Sequence, residues 1–140
     1  MKNYTFVFIS LIMIAACGGG GGGGSDAPGY GYTTPTNNPP SITNTNTNIS
    51  VVENQTSAFT VNATDPNGDA LSYTLSGDDA SLLSISNQGV VTFNTAPDFE
   101  NPSDGDTDNV YKITVTVSDG SLNATANFEI TVTNDTSDDV

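Results

Sequence analysis

Residues 109–120 alternate strictly: Tyr111, Ile113, Val115 and Val117 are separated by Lys112, Thr114, Thr116 and Ser118. A period of two sends successive side chains to opposite faces, so this stretch predicts a strand with one buried face and one wetter face. Asp119-Gly120 ends it with turn chemistry and leaves the aspartate at a tip of the fold. Six weaker segments follow the same rule. They are Asn48–Val52, residues 58–64 (Phe59, Val61 and Ala63 inward), 71–76 (Leu71, Tyr73, Leu75), 82–86 (Leu83, Ile85), Val90–Phe93 (Val91, Phe93) and 124–133 (Ala126, Phe128, Ile130, Val132). Asn67-Gly68 and Asn87-Gln88-Gly89 separate them as turns. Seven short strands at this spacing predict an all-β sandwich.

The chain ahead of these strands is of another kind. Residues 1–16, MKNYTFVFISLIMIAA, join one Lys to an apolar run too short to span a bilayer, which describes a secretory signal. Ile14-Ala15-Ala16-Cys17-Gly18 resembles the lipobox of bacterial lipoproteins and contains the only cysteine. That resemblance implies cleavage before Cys17, lipidation of Cys17, and, with Gly18 rather than Asp next, delivery to the outer membrane. Several acyl chains on one residue give stable anchoring. Residues 17–36 are Gly-, Pro- and Thr-rich and read as a flexible tether, about 25 Å long as a coil. The domain is expected over 37–135, with an acidic tail over 136–140.

Strand parity sorts the acidic residues. If successive strands reverse direction, one pole collects Glu53, Asp78, Asp79, the long connection 95–109 and Asn134-Asp135. The other collects Asp65, Asn67, Asp69, Asp119 and the entering segment 37–40.

Ordered motifs at these positions resemble a cadherin repeat, more closely its bacterial cadherin-like relatives. Val52-Glu53-Asn54 resembles the first-strand glutamate motif. Ala63-Thr64-Asp65-Pro66-Asn67-Gly68-Asp69 resembles the Asp-x-Asp motif with Asn67 at its second place. Pro97-Asp98-Phe99-Glu100 resembles the Asp-Arg-Glu motif with Phe99 in the middle, and Val117-Ser118-Asp119-Gly120 the aspartate after the sixth strand. Thr133-Asn134-Asp135 and Asn37-Asn38-Pro39-Pro40 are similar to the linkers that leave and enter a repeat. The resemblance implies a seven-stranded Greek-key β-sandwich of immunoglobulin-like, cadherin-type architecture. It also implies Ca2+ bound by Glu53, Asp65, Asn67, Asp69, Asp98, Glu100, Asp119, Asn134 and Asp135. Calcium takes six to eight oxygens of these kinds. In the family such sites are shared between neighbouring repeats. A single repeat offers half-sites, with affinity expected at about 10⁻⁴–10⁻³ M or poorer.

Asp104-Gly105-Asp106-Thr107-Asp108-Asn109 also resembles the start of an EF-hand loop. Positions six and twelve of such a loop, normally Gly and Glu, hold Asn109 and Val115. The segment therefore reads first as a solvated polar loop, with a local calcium loop as the alternative.

Charge narrows the function further. Two basic and sixteen acidic residues give a formal charge of -14. Past residue 16, Lys112 alone faces all sixteen acids, which excludes a nucleic-acid role and favours bound counter-cations. With no His, no thiol beyond Cys17 and no Trp, no enzyme is expected. The reading is a non-catalytic, calcium-binding surface lipoprotein at the cell envelope, serving adhesion, homophilic or otherwise, or protein–protein contact. Its partners would be the membrane through Cys17 and a protein or neighbouring cadherin-like repeat. The alternative is a spacer or carbohydrate-binding module whose partner is a polysaccharide.

Overall fold

The computed structural model describes residues 35–137. The signal segment, Cys17 and all but the last two tether residues lie outside the described part of the chain. Among the described residues nine strands follow in order: β1 (Ser41–Ile42), β2 (Asn48–Val52), β3 (Ser57–Thr60), β4 (Ala63–Thr64), β5 (Ser72–Ser76), β6 (Leu83–Ile85), β7 (Val90–Phe93), β8 (Val110–Ser118) and β9 (Asn123–Thr133). One sheet runs β2-β9-β8-β5, another β3-β7-β6, and β1 pairs only with β4. The result is a Greek-key β-sandwich. Pairings are antiparallel except that β2 lies parallel to β9, with Asn48 opposite Glu129 and Val52 opposite Thr133. First and last strands running the same way is what alternating directions over seven strands require.

β8 is long because it is central, paired with β5 on one side and along its full length with β9 on the other. Tyr111, Ile113, Val115 and Val117 are buried, and the alternating polar set is half-covered. Flanking strands on both sides shield even the outer face. The inward side chains of β9, Phe128, Ile130 and Val132, meet them in one core with Val51, Val61, Leu83, Val91 and Phe93. Phe93 meets Tyr111 edge-on at 5.0 Å, and Phe59 of the other sheet lies 4.8 Å from Phe128. These contacts join the two sheets.

The predicted strand over 58–64 is two strands. Its alternation runs unbroken through Phe59, Val61 and Ala63, but the hydrogen bonds do not. β3 pairs with β7, whereas β4 pairs with β1. Between them Asn44 takes the place of a strand partner: its Oδ1 accepts the Asn62 N–H at 2.6 Å and its Nδ2 donates to the Thr60 carbonyl at 3.0 Å. Gly89 is needed at the same corner. It has φ of +77°, and a Cβ there would stand 2.5 Å from the Val61 carbonyl oxygen. Only glycine fits that backbone and that approach.

Candidate metal-binding sites

β2 ends at Val52 and delivers Glu53 to the pole where β9 also ends. Glu53 is buried, and both its oxygens are engaged: Oε2 accepts the Phe99 N–H at 2.7 Å and Oε1 the Asp135 N–H at 2.8 Å. The carboxylate thus clasps the long β7–β8 connection to the segment leaving β9. Asn54, in the left-handed region at φ of 63°, donates its N–H to the Pro97 carbonyl and brings 98–100 alongside. Glu53, Asp98 and Glu100 each present an oxygen within 4.8 Å of the others. Asn134 Nδ2 donates to Glu100 Oε1, and Asn134 Oδ1 is buried without a hydrogen-bond partner. The structure brings together Glu53, Asp98, Glu100, Asn134 and the Asp135 backbone.

The other pole lies at the opposite end of β9, about 33 Å away for eleven strand residues. Asp65, Asp69 and Asp119 have oxygens within 4.8 Å of one another there. Asp65 Oδ1 accepts the N–H groups of Asn67 at 2.8 Å and Asp69 at 3.1 Å, while its Oδ2 is buried with no partner. Asp119 Oδ1 accepts from Ser121 and Leu122 N–H at 2.7 and 2.6 Å. These backbone bonds, first Leu122 and then Ser121, and after them the Asn37 amide, hold the Asp119 carboxyl below its ordinary 3.8. The entering segment closes over the pole. Asn37 Nδ2 donates to Asp119 Oδ2 at 3.0 Å, Asn38 N–H donates to Asn67 Oδ1 at 2.8 Å, and Asn67 Nδ2 donates to the Thr36 carbonyl at 3.1 Å. An open space of about 460 Å³ lined by Pro35, Asn37, Asn67, Asp69, Asp119 and Ser121 remains.

The donor sets suit a hard cation. Each pole gathers several carboxylates, an amide oxygen and nearby carbonyls, and each contains one buried oxygen (Asn134 Oδ1, Asp65 Oδ2) that no donor reaches. A buried acceptor left unmade costs about 1–3 kcal/mol, which a cation would offset.

Asp79, which strand parity assigns to the same pole as Glu53, is a structural carboxylate. Asp79 is 3% exposed; its Oδ1 accepts Gly105 N–H at 2.9 Å and its Oδ2 accepts Lys112 N–H at 2.8 Å. It joins the β5–β6 connection, the long loop and β8. Its only signal in sequence is a second acid after Gly77-Asp78, which also suits a turn.

The fold and its ends define an immunoglobulin-like β-sandwich with a carboxylate cluster at each pole. Residues 37–136 match the family of bacterial Ig domains, and the chain belongs to that family. The fold is also that of cadherin ectodomains. Human protocadherin-24 EC1-2 is 24% identical with a TM-score of 0.59, over 70% of this chain and 44% of that one. Drosophila N-cadherin EC1-4 is 23% identical with a TM-score of 0.59, over 69% and 25%. Mouse cadherin-23 EC22-24 is 24% identical with a TM-score of 0.55, over 69% and 31%. The chain spans less than half the length of each of these structures. No curated protein sequence matches it.

Proposed function

We propose that this chain is a calcium-binding, non-catalytic cadherin-like domain, held at the cell envelope through Cys17, that mediates adhesion or protein–protein contact. The observation that carries the reading is the pairing of a carboxylate cluster with a buried, donorless oxygen at both ends of the sandwich. Calcium at Glu53, Asp98, Glu100, Asn134 and Asp135 would lock the long loop to the end of β9. Calcium at Asp65, Asn67, Asp69 and Asp119 would lock the entering segment to the β8–β9 turn. Both would make the poles stiff platforms for a neighbouring repeat or a protein partner. The field of the domain repels polyanions and leaves cations as its natural ligands.

Sugar binding has less support. Phe93, Tyr111 and Phe128 are buried and Phe59, Tyr73 and Phe99 half-buried, so among the described residues no aromatic ring is exposed as a stacking platform.

The calcium reading is tested with the Asp98→Asn/Glu100→Gln double variant of the full chain. Its melting temperature is expected to lose the rise that millimolar calcium gives the parent. An undiminished rise removes this pole from the proposal. Anchoring is tested by fractionating cells that express Cys17→Ser: the variant is expected in the soluble fraction, and retention in the membrane fraction contradicts lipidation at Cys17.

A further inference from the structure

A third acidic group lies apart from both poles, in the loop between β7 and β8. Asp104, Asp106 and Asp108 each present a carboxylate oxygen within 4.8 Å of the others. Asp106 and Asp108 are exposed, but Asp104 is the floor of the group and only 3% exposed. Asp104 Oδ2 accepts the Asp108 N–H at 2.9 Å, whereas Asp104 Oδ1 is buried and no donor reaches it. The single ammonium nearby is Lys112 Nζ, which donates to Asp106 Oδ2 at 2.8 Å and Asp108 Oδ2 at 3.1 Å and does not bond the buried oxygen.

Three carboxylates against one ammonium leave the group net negative, and with the ammonium displaced a divalent cation would face a still larger opposite charge. Asp79 adds a further buried carboxylate behind the loop, with both oxygens spent on the N–H groups of Gly105 and Lys112. These bonds fix the loop to β8, so the oxygens of the group are held in place before any ion arrives.

The backbone also meets the demand that the sequence pattern misses. Oxygen ligands at alternate residues, i, i+2 and i+4, surround one ion only if the chain turns sharply just after the third. Glycine at the sixth place of an EF-hand loop supplies that turn. Here the sixth place is Asn109, with φ of 63°, and Thr107 just before has φ of 57°. Asparagine enters the left-handed region more readily than most residues. The conformation is therefore present without the glycine. Beside the group a cavity of about 290 Å³, lined by Asp78, Asp79, Gly105, Asp106 and Lys112, has room for the waters that would complete a six- to eight-oxygen shell.

We propose that Asp104, Asp106 and Asp108 form a local calcium site, separate from the polar sites, in which Lys112 is the intramolecular cation that calcium competes with. Calcium takes the donorless Asp104 oxygen and one oxygen each from Asp106 and Asp108; the ammonium swings out toward solvent.

The test is a calcium titration of the full chain, freed of divalent ions, followed by amide resonances at physiological ionic strength. The amides of Gly105, Thr107, Asp108 and Asn109 are expected to shift saturably. The Asp106→Asn/Asp108→Asn variant should lose those shifts while the pole amides of Phe99, Asp135 and Ser121 still respond. Lys112→Gln should lower the calcium midpoint at the loop by about tenfold, the scale of one removed surface charge, and leave the pole midpoints in place. Loop amides that stay unmoved to about 10 mM calcium, tenfold above the weak end for extracellular modules, in both the parent and Lys112→Gln overturn the site. Pole amides report separately, so that failure is distinct from a failure of the polar calcium reading.

Discussion

Asp119 shows how much one half-buried carboxylate can organise. It ties two backbone N–H groups of its own turn and the side chain of Asn37, eighty-two residues away. Its carboxyl is held below 3.8 in the folded state, chiefly by the Leu122 and Ser121 N–H groups. A lowered folded-state value means that the contribution is whole above the unfolded value and is lost as pH falls through the folded one. In calcium-free buffer Asp119→Asn is therefore expected to melt below the parent at neutral pH. The gap should hold down to about pH 5 and close below about pH 4. A gap that persists unchanged into acid would show that the charge contributes nothing. The sequence marked Asp119, Asp65 and Glu53 because each stands at a strand end inside a recurring motif. It did not reveal that Glu53 would spend both oxygens on the backbone of Phe99 and Asp135, since those partners are brought to it only by the folding of distant segments. Strand parity placed Asp79 at a pole, but its structural role was hidden for the same reason: its bonds reach Gly105 and Lys112, far along the chain.

Among the elements, β8 is the clearest in sequence because its alternation is long and its inward residues are all large and apolar. Val115 is fully buried and paired across to Leu75 and Ala126. Val115→Asp puts a charge there with no partner within the sandwich. The cost is expected to exceed the roughly 5–15 kcal/mol that holds a domain folded. The variant should show no cooperative melting transition; a normal transition would contradict the register of β8. Periodicity was less informative where it continued across a change of sheet. Phe59, Val61 and Ala63 alternate as one strand would, yet β3 and β4 belong to different sheets, and the cause is the amide of Asn44 bonding across the gap. The two-residue β1 carries no period of its own and exists only as the partner of β4. The loop between β7 and β8 has no hydrophobic period at all, so its shape, set by Asn54, Asp79 and Asn109, could not be read ahead of the fold.

At the scale of the molecule, the sandwich gathers its carboxylates into clusters instead of spreading them. Parallel β2 and β9 end together and bring Glu53 beside Asn134 and Asp135; the β8–β9 turn and β4 bring Asp119 beside Asp65 and Asp69. With Lys112 the sole basic residue past the first sixteen, repulsion within these clusters has no internal remedy at the poles. A divalent cation bound there would relieve it, and the stabilisation would grow with free calcium by mass action. The direct measurement is the melting temperature of the full chain against calcium concentration, set beside magnesium at matched ionic strength. The expected result is a rise that sets in toward millimolar calcium and that magnesium, smaller and more reluctant to shed water, does not reproduce. Equal responses to both ions would mean screening alone, and would contradict calcium binding at the poles.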